Sequence, residues 1–142
     1  MASTAFNAQG TTLEVASDAT DLIVGTADTA IENLISFSGF DAESAEIDVT
    51  NLVSTAKEKL AGLQDFGSFS GNWHTKLGAT GQDVMRALQA SGYVAQFVLT
   101  FPDASTATFN GVVKNAQAIE GGVDAAVGGS FSIAVSGLPV FA

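Results

Sequence analysis

The sequence predicts a mainly β fold, a β-sandwich or barrel with one flanking α-helix and a long loop. Apolar and polar side chains alternate with period two over several short segments, which is the pattern of strands with one buried face. One segment changes to helical spacing. Fifteen glycines and ten phenylalanines in 142 residues suit short strands joined by tight turns.

The chain before residue 51 contains three predicted strands separated by loops. Residues 12–15 and 46–50 alternate strictly, and residues 31–37 alternate with one polar intruder. The segment 17–29 is predicted to be a loop around a short apolar piece, because aspartate and glycine recur in it. We expect Gly39 to mark a turn.

The segment 51–67 interrupts the strand pattern. Residues 55–60 include good helix formers, but the run is short, and Gly62 and Gly67 follow it. We therefore predict a long loop over 51–67 that contains one helical turn. Loops of this length in a compact domain usually serve a function.

The pattern of residues after position 67 predicts a strand, a helix and a β-hairpin. Residues 68–74 alternate and form the strand. Thr80 and Asp83 match a capping box, helical spacing of apolar residues follows, and Gly92 is a suitable C-cap. Residues 93–118 contain two alternating arms around a Pro-Asp turn, which is the pattern of a long hairpin.

The two ends of the predicted domain, which covers residues 1–142, differ in character. Residues 1–10 are small and polar and are predicted to be a flexible arm; they lack the basic and apolar parts of a signal peptide. Residues 131–135 form the last predicted strand. Residues 137–142 follow as a C-terminal tail, whose apolar end we expect to dock on another surface.

The charge balance excludes several functions. Five basic residues face fifteen acidic ones, for a formal net charge of −10. Because binding to a nucleic acid backbone needs Lys and Arg, we expect no binding to DNA, RNA or an anionic membrane.

No apolar stretch approaches the roughly 18 residues of a membrane span. The absence of cysteine excludes disulfides, thiolate metal sites and cysteine nucleophiles.

Candidate catalytic and metal-binding groups are few. His74 is the single histidine, so a zinc site would need carboxylates to complete it, and an exposed strand end is the simpler interpretation. Residues 67–71 have the glycine spacing of a nucleophile elbow, but Phe69 occupies the nucleophile position. Glu46 and Asp48 share a strand face that suits either a hard cation such as calcium or solvent. We therefore predict no catalytic residue, no metal site and no cofactor.

Basic and apolar side chains recur within the predicted loop. Lys57 and Lys59 either keep the loop soluble or meet an acidic surface of another copy. The apolar side chains either tuck under the loop or contact a partner. They are Leu52, Leu60, Leu63 and Phe66.

Three consecutive runs carry a resemblance to a known family. They are EIDVT (46–50), STAKE (54–58) and LAGLQDFG (60–67). A Gly-Asn-Trp strand (71–73), a helix, a hairpin and a Gly-Gly-Val-Asp stretch (121–124) follow in order. In this content and order the chain resembles the tail tube proteins of long-tailed bacteriophages. The resemblance is most specific over 46–67.

The resemblance implies how such a chain works. Six copies close a ring whose inner sheets join into one barrel, and stacked rings form a tail tube that conducts DNA into the host cell. The long loop then becomes an inter-subunit loop that reaches the neighbouring ring. The implied inter-ring contact residues are Leu52, Lys57, Lys59, Leu60, Leu63 and Phe66, and the expected lumen-facing acids are Glu46 and Asp48.

The resemblance also implies partners and a location. The partners are further copies of the chain, the tail terminator, the tape measure protein and baseplate or tail-tip proteins. DNA passes without specific binding, no membrane is involved, and the protein belongs to a virion tail assembled in the host cytoplasm. The resemblance does not distinguish a phage tail from the related tubes of tailocins, gene transfer particles or contractile injection systems. The alternative function is a carbohydrate-binding or adhesin-type β-sandwich, which would expose Trp73, Tyr93 or a phenylalanine on a shallow face.

Overall fold

The computed structural model describes residues 9–40, 43–53 and 55–142, without the side chains of 43–45 and 62–64. Strands predominate in this part of the chain, with one helix among them, so the mainly β prediction is confirmed. The predicted arm 1–10 lies outside the described residues apart from its last two. In chain order the elements are β1 (Thr12–Val15), β2 (Thr29–Ala30), β3 (Leu34–Gly39), β4 (Glu43–Asp48), β5 (Lys59–Asp65), β6 (Ser68–His74), α1 (Thr80–Ser91), β7 (Val94–Thr100), β8 (Thr106–Asn115), β9 (Glu120–Gly122) and β10 (Ala125–Phe141).

Most of the strands form one antiparallel sheet. Its order is β2–β1–β7–β8–β10–β6–β3, and β9 pairs with β10 outside that path. Strands β4 and β5 form a separate two-stranded sheet. Among the described residues, β2 and β3 are therefore the edges of the large sheet.

The large sheet curls so that strands far apart in its order share one core. Phe37 in β3 lies 6.3 Å, between ring centroids, from Phe101 at the end of β7, although three strands separate β3 from β7 in the sheet. Phe109 packs 5.3 Å from both Phe69 and Phe97. Each such buried side chain stabilises the fold by roughly 1.5–3 kcal/mol. Phe69, Phe97, Phe109 and Phe131 thus form the centre of the core.

The segment around the second predicted strand is displaced in the structure. The N–H of Ile31 donates to the Leu13 carbonyl (2.8 Å), and Asn33 turns the chain with φ of 60°, so β3 begins only at Leu34. Gly39 is the last residue of β3 rather than a turn. A Cβ at Gly39 would lie 2.8 Å from the Cα of Phe69, so close strand packing is the reason for this glycine.

The predicted hairpin is confirmed as β7 and β8, with Phe97 opposite Phe109. The last strand is much longer than predicted, because the segment expected as a tail, 137–142, continues β10 beside β8 through Phe141. Ala142 then exchanges two backbone hydrogen bonds of 2.9 Å with Thr106. The backbone of the chain end therefore pairs with the subunit's own sheet, and the Phe141 ring contacts Phe40 edge-on at 5.6 Å. The side chains of Leu138, Val140 and Phe141 nevertheless remain largely exposed.

The helix prediction is confirmed over Thr80–Ser91, but its predicted capping box is wrong. Ala79 is the N-cap and makes no side-chain cap, while Asp83 lies inside the first turn and pairs with Arg86 at 3.0 Å. Gly92 caps the other end as predicted, with φ of 74° and its N–H 2.9 Å from the Leu88 carbonyl.

A buried glutamine fastens the helix to the sheet. The Gln82 amide donates to the backbone carbonyls of Glu32 (3.1 Å) and His74 (3.0 Å), and its oxygen accepts from the N–H of Lys76 (3.0 Å). Gln82 has no exposed surface, so these bonds replace all of its contacts with water. Gly81 beside it allows the close approach, because a Cβ there would lie 2.2 Å from the Ala30 carbonyl oxygen.

The helical turn predicted within 51–67 is wrong. Residues 59–65 form strand β5, which pairs with β4 in an antiparallel hairpin. Helix propensity over six residues is too weak to compete with cross-strand pairing. The segment expected as a loop is thus the turn and second strand of a β-hairpin.

Candidate assembly surfaces

The β4–β5 hairpin has two chemically different faces. Asp48 lies opposite Lys59, and Glu46 projects from the same face and forms an ion pair with Lys59. Ile47 lies opposite Leu60 on the other face, where the two residues are 47% and 57% exposed. The hairpin is therefore an amphipathic ribbon whose apolar face is exposed in the subunit.

Electrostatic interactions on the charged face of the hairpin contribute little to its stability. Both side chains of the Glu46–Lys59 pair are largely in solvent, and an exposed pair of this kind contributes about 0–1 kcal/mol. The hydroxyl and the N–H of Thr50 hold the pKa of Asp48 below its ordinary value, with the N–H at 2.9 Å. Asp48 therefore remains ionised through the neutral range.

The turn of the hairpin exposes apolar and basic side chains together. Leu52 and Val53 project fully into solvent. Lys57 is exposed and makes no ion pair within the described residues. The N–H of Glu58 donates to the Thr50 hydroxyl at 2.9 Å, which holds the turn closed below this tip. Large exposed apolar side chains beside an unpaired charge are typical of a contact surface.

The structure divides the predicted inter-ring residues into separate groups. Lys59 lies on the charged face with Glu46, and Leu60 lies on the opposite face. Phe66 is half-buried at the base of the hairpin, and the side chain of Leu63 lies outside the description. The structure thus joins Lys59 to the two acids, a grouping that the sequence order conceals.

An exposed apolar surface at the other end of the sheet was missed by the sequence reasoning. Register places Ala134 opposite Ser68, where the hairpin enters, and Gly128 opposite His74 at the far end. The turn between β9 and β10 lies beyond that far end. The exposed apolar residues in and around this turn are Val123 in the turn, Ile119 before β9 and Val127 within β10. The glycine pairs around them indicated only a turn, so the sequence carried no signal for a surface.

The outward side of strands β3, β6 and β10 forms a surface of small polar side chains, here called the hydroxyl face. Cross-strand register brings its members side by side, opposite the phenylalanine core. The Asn72 amide donates to the Ser36 hydroxyl at 3.0 Å, and the hydroxyls of Ser38 and Ser70 lie 3.4 Å apart. The hydroxyl face consists of Ser36, Ser38, Ser68, Ser70, Asn72, Ser130, Ser132 and Ala134.

The hydroxyl face carries no charge in a strongly acidic chain. Strands β3, β6 and β10 contain no Asp, Glu, Lys or Arg, although the chain has fifteen acidic and five basic residues, and Lys114 lies exposed on the neighbouring β8. A shallow groove of about 480 Å³ runs across the face between β3 and β10. The loop that contains Asp21 borders the neighbouring part of the sheet at Asn110 and Ser136. Carboxylates therefore flank this region without entering it.

The groups considered for catalysis or sugar binding lie apart from one another. Trp73 is fully buried and stacks on Phe131 at 4.9 Å, and Tyr93 is half-buried, so neither forms the exposed platform that a carbohydrate module needs. His74 is exposed at the end of β6. Within the described ranges, no three His, Asp or Glu side chains cluster as a metal site. No helix in the described part of the chain has the length and apolar character needed to cross a membrane.

Comparisons with known proteins identify the fold. No family model and no curated protein sequence matches the chain. A protein from the tail of an empty GTA particle, solved with C6 symmetry, superimposes with a TM-score of 0.73 at 21% identity, over 97% of this chain and 99% of that one. A chain from the structure of the sheath/tube terminator of an extracellular contractile injection system, PVC, in its extended state has a TM-score of 0.71 at 14% identity, over 100% of this chain and 99% of that one. The SPP1 tail tube protein has a TM-score of 0.65 at 17% identity, over 92% and 75%.

These matches define a class, the β-rich subunits of tail and injection tubes, whose fold this chain shares over nearly its whole length. The tail tube fold implied by the resemblance, which covers most of the chain and is most specific over 46–67, is therefore confirmed. Within that class, the highest similarity among the three is to the GTA tail protein, which is almost the same length as this chain.

Proposed function

We propose that this chain is a structural, non-enzymatic subunit that forms stacked hexameric rings, which make a tail tube for DNA delivery. The observation that carries the proposal is the superposition of 97% of the chain on a protein of a C6-symmetric particle tail. A shared fold alone permits many functions. The surfaces of this chain must therefore support assembly independently.

The edges of the large sheet support ring closure. Edge strands present unpaired N–H and C=O groups, which proteins cover or pair to avoid aggregation. In the described residues, β2 and β3 lie at opposite ends of the strand order. Pairing one subunit's edge with a neighbour's other edge is a head-to-tail contact, which closes into a ring when the rotation fits.

The β4–β5 hairpin supports stacking. It extends outside the large sheet, and its apolar face and apolar tip are uncovered in the single subunit. Contact with the next ring would bury this surface. The inter-ring residues we propose are Leu52, Lys57, Lys59, Leu60, Leu63 and Phe66. Glu46 and Asp48 are proposed as acids that face the lumen.

The proposal includes the partners of such a tube. A tail terminator and a baseplate or tail-tip complex would close its ends, and a tape measure protein would occupy it before DNA passes without specific binding. The subunit would be assembled in the host cytoplasm and reside in a virion tail. The net charge of −10 agrees with passage, since a basic wall would retain the phosphate backbone.

Negative-stain electron microscopy of the purified chain across a concentration series tests the proposal. We expect rings or hollow tubes of uniform width that become more frequent with concentration, because each contact is between copies. Fibres without a lumen would contradict the proposal. A chain that stays monomeric alone and also fails to extend tubes from isolated tail-tip complexes would contradict it as well.

A further inference from the structure

We propose that the hydroxyl face lines the bore of the tube, so that most of the wall in contact with passing DNA is uncharged. This inference rests on the proposed tube. It goes beyond the two lumen-facing acids proposed above, because it assigns the main area of the wall to serine and asparagine side chains and confines Glu46 and Asp48 to the part of the lumen beside the hairpin.

The arrangement of surfaces on the subunit leaves few candidates for the wall. A subunit in a stacked ring has two ends, two lateral edges, one inward side and one outward side. The hairpin and the β9–β10 turn lie at the two ends, and β2 and β3 lie at the edges. The core side is covered by the helix, which buries Met85 and Leu88 against it. The exposed side of the helix and the hydroxyl face are then the outward and inward sides.

Charge decides which of the two faces the bore. Surfaces in contact with bulk solvent normally carry charged side chains of both signs. The exposed side of the helix does so with Asp83 and Arg86, whereas the hydroxyl face has none in a chain of net charge −10. We therefore assign the uncharged face to the inward side, along the bore, and the charged side of the helix to the outer surface.

The chemistry of the hydroxyl face suits passage of a polyanion. Lysine or arginine on the wall would bind phosphates by releasing counterions, and closely spaced carboxylates would repel them. Hydroxyl and amide groups interact with water and do neither. The contacts between Asn72 and Ser36 and between Ser38 and Ser70 also hold these short side chains along the sheet. The resulting wall is smooth and hydrated.

Cysteine labelling tests the assignment, because the chain contains no cysteine of its own. Asn72→Cys places a thiol on an exposed position of the hydroxyl face, and Ala87→Cys is the matched control on the exposed side of the helix. Each full-length variant is labelled with a small maleimide and with a maleimide on a polymer too large for the bore, first as free subunits and then as purified tubes. Ser132→Cys on β10 is the second variant for the face, should Asn72→Cys fail to assemble.

We expect Asn72→Cys to react with both reagents in free subunits, and in tubes to keep its reaction with the small reagent while losing that with the large one. Ala87→Cys should react with both reagents in tubes. Reaction of Asn72→Cys with the large reagent in tubes would place the face outside, and loss of both reactions would place it in a subunit contact; either result overturns the assignment. Failure of the unsubstituted chain to form tubes is a separate result, which overturns the proposed function and this inference with it.

Discussion

The β4–β5 hairpin and the curled sheet are stabilised by different contacts. In the sheet, Phe69 and Phe97 are buried, and each packs on the buried Phe109 with ring centroids 5.3 Å apart. In the hairpin, Ile47 and Leu60 are about half exposed, and the charged pair beside them lies in solvent. The sheet therefore has a buried core within one subunit, whereas the apolar side chains of the hairpin remain about half exposed and would be buried only by the stacking proposed above.

Because of this difference, we expect one set of residues to control folding of the subunit and another set to control assembly of the tube. Substitutions in the sheet should change the stability of the free subunit, and substitutions in the hairpin should change the tube. The hydroxyl face is a third case, because its side chains are neither buried in the core nor charged. Replacing its side chains by other polar ones should leave the stability of the subunit unchanged, whereas replacing them by charged ones should impair DNA passage.

The largest expected effect is on folding of the subunit. Phe109→Ala removes a ring that packs on Phe40, Phe69 and Phe97, and it should lower the free energy of unfolding by roughly 3–5 kcal/mol. Leu52→Ala at the hairpin tip is the matched control and should stay within about 0.5 kcal/mol. Chemical denaturation of free subunits measures both. Similar losses for the two variants would refute the separation.

The next effect concerns ring stacking. Reversing Lys57 and Lys59 to Glu should shorten the tubes while single rings persist, because the reversal acts on the hairpin and not on the sheet edges. Electron microscopy gives the length distribution and the fraction of rings. The exchange of Glu46→Lys with Lys59→Glu is the control, since it keeps both the net charge and the ion pair. Tubes of normal length in the double reversal would exclude a stacking role for these lysines.

A smaller effect is expected on DNA passage. Glu46→Lys together with Asp48→Lys should slow DNA ejection from assembled particles, because lysines at the lumen would hold phosphates. Asp83→Lys on the exposed side of the helix is the control and should leave the ejection rate unchanged. Unchanged ejection in the double variant would show that the two acids do not face the lumen.

The smallest effect is on acid stability. The Asp28 carboxylate accepts hydrogen bonds from the backbone N–H and the hydroxyl of Ser17, both at 3.0 Å. These bonds hold the pKa of Asp28 below its ordinary value of 3.8. A lowered pKa stabilises the fold above the unfolded value, and this contribution is lost as the pH falls through the folded value. Asp28→Asn should therefore flatten the dependence of unfolding on pH below about 3.8. An unchanged acid limb in thermal unfolding curves would contradict this.

Much of the fold follows from local patterns. Period-two alternation predicted β1, β6 and the β7–β8 hairpin, and Gly92 predicted the end of the helix. These features depend on side chains that are close in sequence, so one chain is sufficient to predict them. The helical turn in 55–60 and the capping box at Thr80 failed for the opposite reason, since pairing and packing with distant residues decided both segments.

The sequence by itself determined the alternation of the strands, the acidity of the chain and the resemblance of residues 46–67, because these are properties of residue order and composition. Only the tertiary structure decided which residues share a surface. It brought Lys59 to Glu46, paired the backbone of the chain end with β8 and collected the uncharged side chains of β3, β6 and β10 into one face. The physical reason is that strand register joins positions as distant in sequence as Thr12 and Thr100, and such pairings are set by packing of the whole core rather than by any local pattern.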